Sequence, residues 1–185
     1  MRNILFILAI LISWGSLAQH PLKIAVISDT HYLSNKLATD GSALQNFEAG
    51  TGRNVEDLHQ VLSQVLSELE AQQPDILLIA GDITNHGERD SHIDITAKLK
   101  PLAENGTRIF VVPGNHDVNV PNAKAYIDDK PTPTRSISAQ EFEEIYASFG
   151  YNDAIKRDSA SLSYLAEVND RIWLLSIDSN KYKEH

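Results

Sequence analysis

Three short apolar runs, each followed by polar residues, divide the first part of the chain. They cover residues 23–27, 75–80 and 108–112. Runs of this length that are rich in Val, Ile and Leu are typical of strands buried in a parallel sheet. Between them, apolar residues recur at helical spacing and predict helices over 55–73 and 88–102. The alternation predicts an α/β fold with a parallel sheet and right-handed crossovers.

The predicted helices have recognisable ends. Asn54 can cap the first helix and Pro74 stops it, while Asn105 and Gly106 end the second. A bend at Pro101 is expected, because proline removes a helical hydrogen bond. The sequence 138–141 is a capping box that begins a third helix. The apolar face of that third helix carries Phe142, Ile145, Tyr146 and Phe149, and Gly150 closes it.

Two segments lack periodicity and are interpreted as loops. Residues 32–53 contain three glycines, and residues 118–137 contain three prolines together with Asp128 and Asp129. Arg135, in the second segment, is either a ligand for a substrate phosphate or a solvated side chain. Beyond the third helix, residues 162–168 and 171–177 predict two strands joined by a hairpin turn.

Composition narrows the possible functions. The chain has 185 residues and a formal net charge of −9, so binding to nucleic acid or to an anionic membrane surface is not expected. It contains no cysteine, which excludes disulfides, thiol nucleophiles and zinc–thiolate sites. Metal chemistry would have to use oxygen and imidazole ligands, which suit Mn, Fe, Zn or Mg.

The first 18 residues have the pattern of a secretory signal peptide. Arg2 is followed by an apolar core, and residues 16–18 have the small-x-small pattern of a cleavage site. The apolar core is too short to span a bilayer, so stable membrane insertion is not expected. An anchor or a buried first strand is the alternative. We therefore expect an exported protein, periplasmic or secreted, whose domain covers residues 19–185.

Polar residues with metal-binding chemistry follow each of the three predicted strands. These are Asp29 and His31, then Gly81 and Asp82, then the run from Gly114 to Asp117. Carboxyl ends of parallel strands meet at one edge of a sheet, so the three groups are expected to converge there.

Convergence of these side chains predicts a site for two divalent cations that clamp a phosphoester and activate a water. Asp82, central in the series, suits a bridging carboxylate, and Asp29 and His31 can reach one ion. Asn115 offers a neutral oxygen to the other ion. His116 suits a proton donor, with Asp117 orienting its ring.

These three motifs resemble those of the calcineurin-like metallophosphoesterase superfamily. The resemblance implies a four-layer α/β/β/α sandwich and a metal-dependent phosphatase or phosphodiesterase that acts on a small phosphoester. It also implies the metal ligands Asp29, His31, Asp82 and Asn115, with His116 assisting the leaving group.

The sequence departs from the family pattern after the third motif. The family completes its site with a further histidine and a His-x-His pair, whereas only His185 follows His116 here. We therefore expect a domain that is truncated at its C-terminus and an uncertain activity for this chain. The alternatives are a catalytically incomplete fragment or a binding module that keeps the fold, and, more weakly, a nuclease.

The remaining histidines receive structural interpretations. His59 and His92 are expected at the surface, and His86 is expected either to have a structural role or to lie near the site. Asp178, at the end of a predicted strand, either supports the metal ligands or forms a turn.

Overall fold

The structure is a computed structural model that describes residues 21–181. Its strands and helices alternate along the first half of the chain. The strands are β1 (Ile24–Ile27), β2 (Ile76–Ala80), β3 (Arg108–Val112), β4 (Lys124–Ile127), β5 (Lys130–Pro133), β6 (Ala154–Arg157), β7 (Tyr164–Asn169) and β8 (Ile172–Ser176). The helices are α1 (Ser42–Thr51), α2 (Val55–Gln72), α3 (Arg89–Glu104) and α4 (Ala139–Ile145), and a π-helical turn follows at Ala147–Tyr151.

The first three strands form the predicted parallel sheet. Their order is β1-β2-β3, with Ile76 of β2 opposite both Ile24 and Arg108. Most of β2 and the centre of β3 are buried, as expected for strands between packed layers. The prediction of a buried strand is wrong for β1, which lies at the edge of this sheet and exposes Ile24 and Val26 on one face. All three carboxyl ends therefore lie at one edge of this sheet, which confirms the predicted parallel arrangement.

The predicted helix ends are largely confirmed. Asn54 caps α2 by accepting a hydrogen bond from the amide of Asp57, with 2.9 Å between the atoms. The capping box at the start of α4 is also present, with Ser138 and Glu141 bonding reciprocally. Pro101 lies inside α3, which continues to Glu104 before it ends.

A second sheet, antiparallel in the order β6-β7-β8, packs near β3. The Tyr164 hydroxyl donates to the Val111 carbonyl across 3.1 Å and so joins the two sheets. The hairpin of β7 and β8 confirms the two strands expected after the third helix. Strand β6 is not predicted by the sequence pattern, because it carries only two apolar residues.

Both segments interpreted as loops contain regular structure, so those two predictions are wrong. Helix α1 lies within 32–53, and β4 and β5 form a hairpin within 118–137. The two elements support each other, since the rings of Phe47 and Tyr126 lie 4.3 Å apart. This second small core, rather than local periodicity, stabilises them.

Taken together, the described residues form a mixed α/β structure. Within residues 21–181, no helix is both long enough and apolar enough to cross a membrane. The proposed signal peptide, residues 1–18, and His185 lie outside the described residues.

Candidate metal centre

Side chains from the loops after β1 and β2 converge at the carboxyl edge of the parallel sheet. Asp29, His31 and Asp82 each offer a ligand atom, and these atoms all lie within 4.8 Å of one another. The closest pair that involves the imidazole is His31 Nε2 and Asp82 Oδ2, 3.9 Å apart. Two carboxylates and an imidazole at this separation are a suitable ligand set for a divalent cation.

Backbone hydrogen bonds tie these loops together. The amide of Asp29 donates to the carbonyl of Gly81 across 3.1 Å, and that of His31 donates to the carbonyl of Asp82 across 2.9 Å. The third loop joins them, since the His116 amide donates to Asp82 Oδ1 across 3.0 Å. The positions of the three motifs are therefore mutually dependent.

Three of the candidate ligands have left-handed backbone conformations. The φ angles are 56° at Asp29, 41° at His31 and 48° at Asp82. Each such residue costs on the order of 1 kcal/mol, and these costs often occur at functional sites. The hydrogen bonds between the loops hold the backbone in these conformations.

Two glycines allow the second and third loops to approach closely. At Gly81, φ is 83°, and a Cβ built there would lie 2.7 Å from the Gly114 nitrogen. A Cβ on Gly114 would in turn overlap the backbone and carboxylate of Asp82. Glycine is therefore required at both positions by space and, at Gly81, also by backbone conformation.

Asn115 lies on the same cavity as the acidic ligands. The cavity has a volume of about 290 Å³ and its lining includes Asp29, Asp82 and Asn115. Its lining also includes Asn180, whose side-chain Nδ2 donates to the Pro113 carbonyl across 2.8 Å. Asn115 is exposed, as a ligand that reaches an ion in the cavity would be.

His116 is held by a residue that the sequence motifs do not include. Its Nδ1 lies 2.8 Å from the carbonyl oxygen of Asn85, so this nitrogen carries a proton and donates. The ring also lies edge-on to that of His31, with 5.0 Å between centroids. The Nε2 atom is thereby left for the proton transfer expected of this residue.

The position of Asp117 differs from the expectation that it orients the His116 ring. Its carboxylate is buried and accepts hydrogen bonds from the amides of Ile83, Thr84 and Gly114 and from the Thr84 hydroxyl. Burial raises the pKa of Asp117 to about 6, and the four hydrogen bonds oppose that change. Asp117 therefore supports the second and third loops, while Asn85 orients the ring.

His92 and His59 are both expected at the surface, and the prediction is wrong for His92, which is packed inside. His92 is fully buried, with Nε2 2.9 Å from the Asp117 carbonyl and Nδ1 2.9 Å from the Tyr146 hydroxyl. His59 is half-buried against Tyr32, and its Nε2 lies 2.7 Å from the Leu33 carbonyl. Helical periodicity places a polar residue such as His92 outside the apolar face, but it does not show which residues of neighbouring segments will bond to its side chain.

His86 lies near the candidate centre, which is one of the two interpretations left open by the sequence. Its ring centroid is 5.3 Å from that of His116, and its Nδ1 is 3.0 Å from Asn85 Nδ2. Burial, followed by the charges of His116 and Arg53, lowers the pKa of His86 to about 4. His86 is therefore neutral at pH 7.

Arg135 and Asp178 have structural partners. Arg135 forms an ion pair with Glu141 next to the capping box of α4, which accounts for its position without a substrate. Asp178 is buried and accepts hydrogen bonds from the amides of Leu162 and Asn180. Asp178 thus shapes the turn after β8 and positions Asn180 at the cavity.

The residues present fit a divalent cation. The Nδ1 atom of His31 is buried and, among the described atoms, lacks a hydrogen-bond partner. Burial first, and then the charge of Arg53, lowers the pKa of His31, so its ring is available as a neutral ligand. The His31 imidazole, whose Nε2 lies 3.9 Å from Asp82 Oδ2, and the two carboxylates form a donor set that a cation would complete.

Comparison with known proteins is consistent with this chemistry. The model of the calcineurin-like phosphoesterase family matches residues 22–182. A protein of Coxiella burnetii named a probable cyclic nucleotide phosphodiesterase is 33% identical over 102 residues, which are 55% of this chain and 34% of that protein. One of the same name from a Pseudoalteromonas species is 30% identical over 99 residues, 54% of this chain and 33% of the relative. The match thus spans about a third of each relative. The chain belongs to the calcineurin-like phosphoesterase family.

Proposed function

We propose that this protein hydrolyses phosphoesters at a centre of two divalent cations. The convergence of Asp29, His31 and Asp82 within 4.8 Å carries the proposal. Asp29 and His31 would hold one ion, Asp82 would bridge, and Asn115 would hold the other. Bound cations of the Mn, Fe or Zn type would supply Lewis-acid activation of water and neutralise phosphoryl charge.

The chain's own residues then position the substrate and move a proton. His116, fixed at Nδ1 by the Asn85 carbonyl, would in its doubly protonated form donate the Nε2 proton to the departing ester oxygen, which leaves the neutral ring with its proton on Nδ1. The hydrogen bond from the His116 backbone amide to Asp82 Oδ1 would keep the backbone of His116 close to the carboxylate that is proposed to bridge the ions. Phosphodiesters are the substrate class that the names of the two relatives support.

The test is hydrolysis of bis(p-nitrophenyl) phosphate, p-nitrophenyl phosphate and a cyclic nucleotide with Mn²⁺ added. We expect diester cleavage that chelation abolishes, and losses of at least about 100-fold in Asp82→Ala and His116→Ala. Unchanged rates in both variants would contradict the proposal. Lys100→Gln, on α3 near the opposite edge of the sheet, serves as the control.

A binding module without turnover is the second candidate. Among residues 21–181, one group of three acidic or histidine ligands is found, which suffices to hold a single ion with open positions. Metal analysis after dialysis separates the candidates. One retained ion and no turnover favour the module, whereas two ions with turnover favour the hydrolase.

Two further features belong to the proposal. We infer a four-layer α/β/β/α sandwich, supported by two three-stranded sheets with α2 and α3 packed into the main core. We also infer export to the periplasm or beyond, supported by the sequence of residues 1–18. Mass spectrometry of the protein recovered outside the cytoplasm tests export, because cleavage after Ala18 would give a defined mass.

A further inference from the structure

A buried asparagine links three nitrogen-rich side chains beside the candidate metal centre. Asn85 Oδ1 accepts a hydrogen bond from Arg53 Nη1, 2.5 Å away. Its Nδ2 lies 3.0 Å from His86 Nδ1, and its carbonyl oxygen lies 2.8 Å from His116 Nδ1. Arg53, His86 and His116 are therefore fixed around one residue that is itself only 1% exposed.

This network determines which atoms can donate outward. A guanidinium can only donate, so the side-chain atom of Asn85 that faces Arg53 must be the oxygen. The other terminal atom of the Asn85 side chain is therefore the NH₂ group. That NH₂ group donates to His86 Nδ1, so neutral His86 carries its proton on Nε2. His86 Nε2–H and the remaining N–H groups of Arg53 are consequently hydrogen-bond donors without a carboxylate partner among residues 21–181.

Two basic side chains, Arg53 and Lys124, act on His86. Arg53 is half-buried, and the charges of Arg53 and Lys124 both lower the pKa of His86. Two acidic groups contact the network: Asp82, which accepts from the His116 amide, and Glu88, which is fully buried and bonds to the Asn85 side chain. Glu88 accepts from Asn85 Nδ2 and from the His86 amide, and burial raises the pKa of Glu88.

We propose that Arg53 and His86 form an oxyanion subsite that binds a non-bridging phosphoryl oxygen of the substrate, or inorganic phosphate. Arginine presents several N–H groups in a plane that matches phosphate oxygens, and an imidazole N–H adds a further donor. The subsite adjoins His116, which shares Asn85 with it. The assignment rests on the proposed hydrolase function only for the identity of the substrate, because oxyanion binding requires no turnover.

Sulfate binding to the chelator-treated protein tests the subsite without metal. Sulfate is titrated at ionic strength matched with chloride, and the ring signals of His86 and His116 are followed by NMR. We expect saturable shifts of both signals in the wild type and in the control Lys100→Gln, which removes a positive charge near the opposite edge of the sheet. In Arg53→Gln the apparent affinity for sulfate should fall at least tenfold, because one charge-assisted hydrogen bond to the anion is lost.

A second variant keeps the test decisive if Arg53→Gln does not fold. Arg53→Lys retains the charge but loses the planar fork, so an affinity between those of the wild type and Arg53→Gln is expected. Identical sulfate curves for the wild type and the folded variants would overturn the subsite.

Steady-state kinetics separate this proposal from the proposed function. With the metal-loaded enzyme, Arg53→Gln should raise KM and the inhibition constant of inorganic phosphate at least tenfold, with a smaller change in kcat. Turnover with unchanged KM and inhibition would refute the subsite and leave the hydrolase standing. Arg53-dependent sulfate binding in a protein without turnover would refute the hydrolase and leave the subsite standing.

Discussion

The carboxylate of Asp82 accepts a hydrogen bond from the backbone amide of His116, with 3.0 Å between Oδ1 and the nitrogen. The other oxygen, Oδ2, lies 3.9 Å from His31 Nε2. One oxygen of this carboxylate therefore holds the loop that carries His116, and the other lies at the candidate cation site. Changes to either neighbouring loop should consequently affect both stability and metal binding.

Gly114→Ala should disrupt this arrangement. The added methyl group would overlap the backbone and carboxylate of Asp82, so we expect a loss of about 3 kcal/mol in the free energy of unfolding and loss of hydrolysis. Gly50→Ala is the matched control, because nothing outside its own stretch of helix lies within 4 Å of the position that its methyl group would take. The control should gain up to about 1 kcal/mol. Urea unfolding measures the stability of both variants. Equal stabilities would contradict the close approach of Gly114 to Asp82.

Asp117→Asn should destabilise the protein by weakening the contact between the loops after β2 and β3. The carboxylate accepts four hydrogen bonds, and an amide would place N–H groups against backbone donors. We expect a loss of about 2 kcal/mol in the free energy of unfolding. Asp170→Asn, at an exposed turn, should change it by less than about 0.5 kcal/mol. A neutral effect of Asp117→Asn would show that these hydrogen bonds contribute little.

His92 should make the protein sensitive to acid. Burial lowers its pKa to about 3, against about 6.5 in the unfolded chain, so the unfolded state binds more protons between these values. Stability should therefore fall as the pH falls from 6.5 towards 3, with roughly 2 kcal/mol lost by pH 5. Asp117 and Glu88 have raised pKa values and act in the opposite direction.

The contribution of His92 can be isolated by substitution. In His92→Gln the free energy of unfolding should be lower at pH 7, and its decrease between pH 7 and pH 5 should be smaller by roughly 2 kcal/mol. Urea unfolding of both proteins with a chelator present provides the measurement. Parallel pH profiles would show that His92 is not the responsible group.

Adjacent leucines of β8 should respond differently to threonine. Leu175 is 62% exposed beside the exposed Trp173, whereas Leu174 packs against the main core. Leu175→Thr should leave stability within about 0.5 kcal/mol and reduce binding of the dye ANS, because it removes exposed apolar surface. Leu174→Thr should cost about 1–3 kcal/mol. Equal losses of stability in the two variants would contradict the placement of Leu174 on the buried face of β8 and of Leu175 on its exposed face.

The sequence is most informative where a residue pattern acts locally. Buried strands have continuous apolar runs, and Asn54 and Ser138 have capping side chains within a few residues of their partners. The order of the parallel strands then brings Asp29, His31 and Asp82 to one edge. These features depend on short spacing and on one topological rule, so they could be predicted.

Features that depend on contacts distant in sequence could not be predicted. Helix α1 and the hairpin of β4 and β5 are held by each other, as the contact between Phe47 and Tyr126 illustrates. The role of Asn85 is hidden in the sequence because its partners are up to 32 residues away. Its position shortly after the Gly81–Asp82 motif is the only available signal.

Backbone hydrogen bonds from Asp29 and His31 to Gly81 and Asp82 have a kinetic consequence for the candidate centre. These amides lie outside regular secondary structure, yet they should exchange slowly with deuterated water, because opening one loop breaks its bonds to the next. A cation would then encounter ligands that are already ordered. Its rate of capture would be limited by the release of its own hydration water rather than by rearrangement of the polypeptide.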